Sequence, residues 1–387
     1  MGLGGAVVFL FFNSILYYPI FIFCTFVYMN LDKTTHEVVI GAAQEMTKIK
    51  DNTIGLVVTS PPYPMIEMWD DIMAKQHTDI RNALDRQDGL DAFELMHKEL
   101  DKVWKETARV LMSGGFACIN IGDATRTIGK KFQLYPNHAR IISAFHSLGM
   151  QSLPNILWRK QTNAPNKFMG SGMLPAGAYV TLEHEWILIF RKEGKRIFKT
   201  AEEKLKRKES ALFWEERNIW FSDLWQLKGI KQKITKSETR KRSAAYPFEI
   251  PYRLINMYSL KGDTILDPFL GTGTTTLAAI AAQRNSIGYE IDGKFSSIIF
   301  ENIEKTPLPF YNGHIYHRVE KHKEFVVARR ADVKKSEIKY FNQKLNMPVM
   351  TRQEVEMEFA FINGLESKNK IITVSYEEAT NFSQNPI

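Results

Sequence analysis

After Asp32 the sequence alternates short apolar runs with amphipathic stretches. Between two of these runs, Asp91–Leu111 carries apolar residues at helical spacing, and Gly114-Gly115 introduces the next run. Strands that alternate with helices form a parallel sheet covered by helices, so we predict an α/β, doubly wound sheet. The predicted strands are Glu37–Ile40, Ile54–Thr59, Phe116–Ile121, Trp186–Phe190, Thr264–Leu266 and Ser286–Tyr289.

A glycine-containing loop, Asp267–Thr275, lies between a predicted strand and the helix-like Thr276–Ala282. Its glycines let the backbone turn tightly and approach a ligand closely. The Asp267 carboxylate would repel a pyrophosphate but suits a ligand with an ammonium and a sulfonium, and no lysine follows the glycines as in a nucleotide P-loop. Glu290 ends the next strand, where an acidic side chain can bind ribose hydroxyls. The loop favours S-adenosylmethionine, and a helix-start turn without a ligand is the alternative.

A second loop, Thr59-Ser60-Pro61-Pro62-Tyr63, ends the strand Ile54–Thr59. Prolines fix the backbone and leave carbonyls without a competing local N–H, so that Ser60 Oγ and a proline carbonyl can accept the hydrogens of an exocyclic amino group. Tyr63 offers a flat face for a base flipped out of a duplex. A rigid turn without catalytic function is the alternative. Because doubly wound sheets bind ligands at the carboxyl ends of their strands, we expect both loops to meet there.

The basic excess of the chain lies in one segment. The whole chain has 51 basic and 43 acidic residues, a net charge of +8, which favours a polyanionic partner such as nucleic acid. Arg191–Arg242 alone contains 17 basic and 8 acidic residues. A run such as Lys204–Lys208 by itself is better interpreted as a charged, solvated face of a helix. Across the whole segment, contact with nucleic acid is favoured by the interleaved aromatic residues Trp214, Trp220, Phe221 and Trp225.

These motifs together resemble the amino-group DNA methyltransferases of restriction-modification systems. Ser60–Tyr63 resembles their catalytic motif, Asp267–Thr275 their cofactor motif, and Glu290 their acidic cofactor position. The catalytic motif precedes the cofactor motif, as in the permuted group called the beta class. Serine at Ser60, where other members have aspartate, resembles the cytosine-N4 enzymes more than the adenine-N6 enzymes. The resemblance extends from about Thr35 to Glu304.

Weaker elements of the family follow in the expected order. Gly114–Asp123 resembles the central strand, Trp158-Arg159-Lys160 and His184-Glu185 resemble later core strands, and Ala245–Phe248 resembles the segment beside the cofactor. One position departs from the pattern, because Gly41-Ala42 stands where members often have Gly-Asp. A polar contact near the cofactor or the target is therefore missing.

The resemblance implies a Rossmann-like, S-adenosylmethionine-dependent methyltransferase sheet with an inserted target-recognition region. Its implied catalytic residues are Ser60, Pro61, Pro62 and Tyr63. Its implied cofactor-binding residues are Asp267, Phe269, Gly271, Gly273, Thr274 and Glu290, and no metal site is expected. The expected segments are 1–31, uncharged and apolar; 32–190, the catalytic half; 191–242, the target-recognition region; 243–305, the cofactor-binding half; and 306–387, a C-terminal appendage of helices or further DNA contacts.

The implied activity is site-specific methyl transfer from S-adenosylmethionine to N4 of cytosine in double-stranded DNA, which protects that DNA from a cognate restriction endonuclease. Adenine N6 as the target, an RNA substrate, and a DNA-binding module with a vestigial pocket are the alternatives. A carbon-5 mechanism needs a cysteine nucleophile, but the chain has no Pro-Cys pair and Cys118 lies in a predicted strand. With only two cysteines a disulfide framework is excluded, and a reducing, cytoplasmic location is expected.

The segment Met1–Leu31 contains no charged residue and is long enough to span a bilayer, which takes about 20 residues. It lacks the basic start and the small-residue cleavage site of a signal peptide. Two interpretations remain: a membrane anchor, or residues translated from a start upstream of a chain that begins near Met29. The second is favoured, because a DNA methyltransferase has no evident use for an anchor.

Overall fold

A computed structural model describes residues 33–160, 169–229, 246–332, 337–379 and 382. The strands in chain order are β1 (Lys33–Ile40), β2 (Ile54–Thr59), β3 (Leu111–Ile121), β4 (Ala124–Ile128), β5 (Lys131–Tyr135), β6 (Gln151–Arg159), β7 (Met169–Gly170), β8 (Ala178–Tyr179), β9 (His184–Arg191), β10 (Leu224–Trp225), β11 (Thr264–Asp267), β12 (Asn285–Glu290), β13 (Tyr340–Asn342), β14 (Met347–Val349), β15 (Ala360–Lys368) and β16 (Ile371–Glu378).

The helices alternate with the strands along most of the chain. They are α1 (Asp70–Gln76), α2 (Thr78–Asp85), α3 (Gly89–Val110), α4 (Asn137–Ser147), α5 (Ala201–Glu209), α6 (Trp214–Trp220), α7 (Glu249–Tyr258), α8 (Thr274–Ala281), α9 (Phe295–Lys305) and α10 (Leu308–Ala331), with short 3-10 turns at Glu67–Trp69 and Arg352–Glu354. The predicted helix over Asp91–Leu111 is confirmed as α3, which begins two residues earlier because the Asp88 side chain caps it by accepting a hydrogen bond from Asp91 N.

Within the described residues, ten strands form one sheet in the order β10-β6-β9-β3-β2-β11-β12-β1-β16-β15. The five strands from β3 to β1 in this order form a parallel centre, as predicted, but the predicted strand Trp186–Phe190, observed as β9, is antiparallel to β3. Strands β9 and β16 flank this centre in antiparallel orientation. The carboxyl ends of the five parallel strands therefore lie along one edge, at Ile121, Thr59, Asp267, Glu290 and Ile40. Strand β9 enters the sheet at that edge with His184.

Both faces of the sheet are covered, as a doubly wound fold requires. Every residue of β2 is buried, and its side chains alternate between two cores, with Leu56 and Val58 on one face and Val57 on the other. Helices α3 and α4 cover the Val57 face, and α7, α8 and α9 cover the opposite face. Burial of a leucine or valine side chain stabilises a fold by roughly 1.5–3 kcal/mol, so these two layers hold the edge rigidly.

The start of β3 differs from the prediction that Gly114-Gly115 introduces the strand. The strand begins at Leu111, directly after α3, and Gly114 lies inside it with a φ of 75°. A Cβ at Gly114 would lie 2.4 Å from the backbone nitrogen of Arg196. Glycine is therefore needed where the chain after β9 crosses the strand, and it does not mark the beginning of the strand.

The chain after Thr306 contributes to the sheet as well as to a helix. Strand β16 pairs with β1, with Thr34 opposite Val374, and β15 pairs with β16. The Tyr376 hydroxyl lies 2.8 Å from Thr34 Oγ1 and donates to the carbonyl of Ile280 in α8. Strand β16 is thus bonded directly to the first strand of the sheet, and β15 is joined to that strand through β16.

Residues 1–31, the expected anchor or upstream extension, lie outside the described residues. In the part of the chain that the structure does describe, no helix combines the length and the apolar character needed to cross a bilayer.

Candidate active site

The two loops predicted to carry the chemistry meet in one cleft. Strands β2 and β11 are neighbours, with Leu266 opposite Val57, so the chain leaves both at the same edge. The cleft between them holds about 1040 Å³ of space, its open mouth included. Nine of the ten predicted site residues line it: Ser60, Pro61, Pro62, Tyr63, Asp267, Phe269, Gly271, Thr274 and Glu290.

Gly273 is the predicted residue that does not line the cleft. Its φ of 89° lies in the left-handed region, and it precedes the first residue of α8. A Cβ there would lie 3.4 Å from Ile299 Cγ2, on the side of α9. In this structure Gly273 therefore serves the turn into α8 and the packing of α9.

The Asp267 carboxylate is buried and holds the two loops together. Its Oδ1 accepts hydrogen bonds from the Thr59 hydroxyl at 2.5 Å and from Phe269 N at 3.0 Å. Its Oδ2 accepts from the Thr275 hydroxyl, which in turn accepts from the hydroxyl of the buried Tyr246. Burial raises the pKa of Asp267 to about 6, and the hydrogen bonds oppose that rise. The carboxylate thus connects the end of β2 to the start of the glycine loop.

Glu290 lies at the end of β12, across the loop from Asp267. Its Oε2 accepts a hydrogen bond from Gly271 N and its Oε1 accepts one from Asp292 N, both at 2.9 Å. Burial raises the pKa of Glu290 to about 7. Each oxygen of the ionised carboxylate keeps a lone pair for another donor. Above about pH 7, where it is mainly ionised, this side chain is therefore an acceptor pair at the cleft wall.

The cleft fits a ligand that combines an adenosine with a positive charge. A Cβ at Gly271 would meet only Phe269 O, at 3.9 Å, so the loop leaves open space at the cleft. Apolar side chains that can contact a base line the same cleft: Ala43, Val103, Phe269, Leu270, Ile291 and Phe295. In the same cleft, the carboxylate of Glu290 can accept hydrogen bonds from hydroxyl groups, and the carboxylate of Asp267 can attract a cation.

The Ser60–Tyr63 loop forms hydrogen bonds with Asn120 and Glu185, which were not predicted as site residues. The hydroxyls of Ser60 and Tyr63 lie 3.1 Å apart. The Tyr63 hydroxyl donates to Glu185 Oε2 at 2.8 Å and accepts from Asn120 Nδ2 at 2.8 Å. The available signals were the polar Asn120 in the apolar second half of β3 and the His184-Glu185 pair at the start of β9.

The Tyr63 ring packs closely against the end of β3. A Cβ at Gly122 would lie 3.0 Å from Tyr63 Cε2, so the absence of a side chain at Gly122 leaves room for the ring.

Another part of the cleft is lined by Gly41 and Gln44. Gly41 belongs to the Gly41-Ala42 position that departs from the family pattern, and Ala42 itself is exposed.

The expectation that all four interleaved aromatic residues contact DNA is wrong for two of them. Trp220 and Trp225 are only 6% and 2% exposed and belong to the hydrophobic core. The Trp225 Nε1 donates to the Trp220 carbonyl, and Arg253 lies over both rings. Because burial of such large aromatic rings stabilises the fold, these two tryptophans pack in the core and are not exposed to a ligand. Trp214 and Phe221 remain exposed, at 37% and 42%, and Arg217 lies over Phe221.

The basic segment is described only in part. Helix α5 contains the run Lys204–Lys208 and has no buried residue, so its charges are presented to solvent. Residues 230–242 of the predicted recognition segment lie outside the described residues. Cys118 is fully buried in β3, and burial raises the pKa of its thiol, which fits the exclusion of a cysteine nucleophile.

Comparison with known proteins gives a consistent family. A DNA methylase family profile, N6_N4_Mtase, matches residues 54–301. Type II methyltransferase M.MthZI of Methanothermobacter thermautotrophicus is 52% identical over 349 residues, which are 89% of this chain and 96% of that protein. Type II methyltransferase M.MjaI of Methanocaldococcus jannaschii is 50% identical over 287 residues, 71% of this chain and 93% of its own length.

A solved structure shares the fold. A protein designated a DNA modification methylase from Thermus thermophilus, complexed with S-adenosyl-L-methionine, is 30% identical with a TM-score of 0.54. The match covers 70% of this chain and 95% of that chain. The profile spans both loops and most of the residues that line the cleft between them. The chain therefore belongs to the N6/N4 family of DNA methylases.

Proposed function

We propose that this protein methylates N4 of cytosine at a specific sequence in double-stranded DNA, with S-adenosylmethionine as the methyl donor. One observation carries the proposal: the Ser60–Tyr63 loop and the Asp267–Thr275 loop leave adjacent parallel strands and line one cleft. A site that holds a donor in one loop and an acceptor in the other brings the reacting atoms together, which supplies most of the catalysis in a direct transfer.

The cofactor is held by the glycine loop and the end of β12. S-adenosylmethionine, when bound, supplies a methyl group on a positively charged sulfur. Glu290 accepts hydrogen bonds from the ribose hydroxyls with the lone pairs that Gly271 and Asp292 leave free. Phe269 and Phe295, which line the cleft, would pack against the adenine, and the negative charge of Asp267 would favour the cationic end of the molecule.

The target amino group is held by the Ser60–Tyr63 loop. Ser60 Oγ and the Pro61 carbonyl accept its two hydrogens, because neither proline has an N–H that competes for a carbonyl. This arrangement directs the nitrogen lone pair at the methyl group. Tyr63 contacts the flipped base, which must leave the duplex to reach the cleft.

Cytosine is preferred to adenine because the loop begins with serine. The resemblance to the cytosine-N4 enzymes rests on Ser60, where other members have aspartate. The family profile spans both N6 and N4 enzymes, so adenine N6 is the competing target that an experiment must distinguish.

The DNA is bound by the catalytic half, 32–190, and by the recognition region, 191–242, while 243–305 binds the cofactor. The relatives M.MthZI and M.MjaI are named Type II methyltransferases. By analogy this protein protects host DNA from a cognate restriction endonuclease and acts in the cytoplasm. Membrane association follows only if residues 1–31 belong to the native protein.

The proposal is tested by incubating the purified protein with methyl-labelled S-adenosylmethionine and duplex DNA, and then resolving the modified nucleosides. Recovery of N4-methylcytosine supports it, and recovery of N6-methyladenine alone overturns the cytosine assignment. Ser60→Ala is the informative variant, since it should transfer far fewer methyl groups at nearly unchanged cofactor affinity. A wild-type protein without measurable cofactor binding by calorimetry is not the enzyme proposed.

A further inference from the structure

A buried carboxylate lies behind the Ser60–Tyr63 loop. Glu185 is the second residue of β9, opposite Trp158 of β6, and is 8% exposed. Its Oε2 accepts hydrogen bonds from the Tyr63 hydroxyl at 2.8 Å and from Asn120 Nδ2 at 2.7 Å. Its Oε1 accepts from the Lys160 ammonium. The residue therefore joins β3, β6 and the catalytic loop at one point.

These contacts determine which group donates in the hydrogen bond between Tyr63 and Glu185. An ionised carboxylate has no hydrogen, so it can only accept. The three donors around Glu185, one of them cationic, suit the ionised form. Tyr63 must therefore point its single hydrogen at Glu185. Burial and the charge of Glu185 raise the pKa of Tyr63, which keeps that hydrogen in place at neutral pH.

The direction of the next bond follows from the first. Since the Tyr63 hydrogen is committed to Glu185, the Tyr63 oxygen can only accept from its other neighbours. Asn120 Nδ2 donates to it at 2.8 Å, and Ser60 Oγ lies 3.1 Å away. Ser60 must then donate its hydrogen to Tyr63. Asn120 Nδ2 also lies 3.4 Å from Ser60 Oγ and donates to one of its lone pairs, so the other lone pair is available as an acceptor for a group that enters the cleft.

We propose that Glu185 is a positioning residue that makes Ser60 a hydrogen-bond acceptor toward the target base. This inference rests on the proposed function, because it concerns the amino group that the Ser60–Tyr63 loop holds. Without the carboxylate, the Tyr63 and Ser60 hydroxyls could rotate, and Ser60 could present its hydrogen to the cleft. A serine that only accepts selects a base with an amino group and disfavours one with a carbonyl at that position.

Glu183 is a matched control for a purely structural role of Glu185. Glu183, two residues earlier, forms an ion pair with Arg159 of β6 at 3.3 Å, and its side chain is 38% exposed. Glu183 connects the same two chain segments as Glu185. The structure records no contact between Glu183 and Tyr63, so Glu183→Gln removes a carboxylate from this corner without affecting the chain of hydroxyls.

The test compares Glu185→Gln, Tyr63→Phe and their double mutant with Glu183→Gln and the wild type. Steady-state methylation of duplex DNA gives kcat and KM, and calorimetry gives the affinity for S-adenosylmethionine. We expect Glu185→Gln to lower kcat about 10- to 100-fold, the usual effect of disrupting a buried hydrogen bond to a charge. The KM for DNA and the cofactor affinity should stay within about twofold of the wild type, and Glu183→Gln should match the wild type.

The double mutant separates positioning from structural support. If Glu185 acts through the Tyr63 hydroxyl, Glu185→Gln should cause little further loss of kcat in a Tyr63→Phe protein. Equal losses in both backgrounds would overturn the proposal, and so would a wild-type kcat in Glu185→Gln. Should Glu185→Gln fail to fold, Tyr63→Phe still decides, because wild-type kcat in that variant contradicts a role through its hydroxyl. A wild-type protein that transfers no methyl group would overturn the proposed function and this role together.

Discussion

The hydroxyl of Thr59 donates a 2.5 Å hydrogen bond to Asp267 Oδ1, across 208 residues of sequence. Thr59 is the last residue of β2, immediately before Ser60, and Asp267 is the last residue of β11, at the start of the glycine loop. Both partners are buried. In addition to the pairing of β2 with β11, this hydrogen bond links the proposed acceptor loop directly to the proposed cofactor loop.

Thr59→Val should weaken the connection between these two loops, because it removes this hydrogen bond. The substitution leaves the buried Asp267 carboxylate with two of its three donors, so we expect the free energy of unfolding to fall by about 1–3 kcal/mol. The pKa of Asp267, already raised by burial, should rise further, and the affinity for S-adenosylmethionine should weaken. Urea denaturation and calorimetry measure the two effects. Thr127→Val, at an exposed position in β4, is the control and should change neither.

Glu290 should give cofactor binding a dependence on pH. Its pKa of about 7 means that the carboxyl loses its proton near neutrality, and only after that loss do both oxygens keep a lone pair for the ribose hydroxyls beside the bonds from Gly271 and Asp292. We therefore expect the affinity for S-adenosylhomocysteine to increase by up to about tenfold between about pH 6 and pH 8. Calorimetry across this range measures it. Glu290→Gln should bind more weakly at pH 8 and lose the dependence, whereas an unchanged pH profile would show that another group is responsible.

The same residue affects stability with the opposite sign. The pKa of Glu290 in the folded protein, about 7, exceeds the ordinary value of 4.5, so the folded state retains a proton that the unfolded state has lost. Its contribution to the free energy of unfolding is fully present below about pH 4.5 and is lost as the pH rises through 7. In the unliganded protein, Glu290→Gln should therefore remove a decline in stability over this window, which denaturation at several pH values would detect.

Trp225→Ala and Phe221→Ala should differ sharply in stability. Trp225 is 2% exposed in the core, so its truncation leaves a cavity that should cost about 3–5 kcal/mol of unfolding free energy. Phe221 is 42% exposed, so its truncation should cost less than about 1 kcal/mol. Urea denaturation of both variants gives the comparison. Similar losses would mean that the burial of Trp225 is wrong and that it remains available for DNA.

Gly114→Ala should be far more destabilising than Gly149→Ala. Both glycines have a positive φ, 75° and 76°, so both substitutions carry a backbone cost of about 1 kcal/mol. A Cβ at Gly149 meets nothing within 4 Å, but at Gly114 it would lie 2.4 Å from Arg196 N. We expect Gly114→Ala to lower the unfolding free energy by at least about 2 kcal/mol more than Gly149→Ala. Equal effects in thermal or urea denaturation would contradict the close crossing of Arg196.

The central strands could be predicted from the sequence because they are buried on both faces. All six residues of β2 are buried, and the predicted bounds Ile54–Thr59 are the observed ones. The strands β15 and β16 were not predicted, because they lie in a region without a motif and β15, at the sheet edge, has only Ile362 fully buried among its residues. Edge strands carry a weaker hydrophobic signal than central ones.

The two motif loops could be located from sequence, but the side chains behind them could not. Glu185 and Asn120 reach Tyr63 from 122 and 57 residues away, and only the pairing of β3 with β9 brings them together. The aromatic residues between Arg191 and Arg242 mark the opposite case. Their composition alone does not distinguish the buried Trp225 from the exposed Phe221.

The most direct test of the account is the methylome of a host that expresses this gene, compared with one that expresses Ser60→Ala. Sequencing reports the modified base, its position and the surrounding sequence in one experiment. The account predicts N4-methylcytosine at one recurring site in the first host and its near absence in the second. Methylation of adenine instead, or equal modification in both hosts, would contradict the assignment of Ser60 as the acceptor for a cytosine amino group.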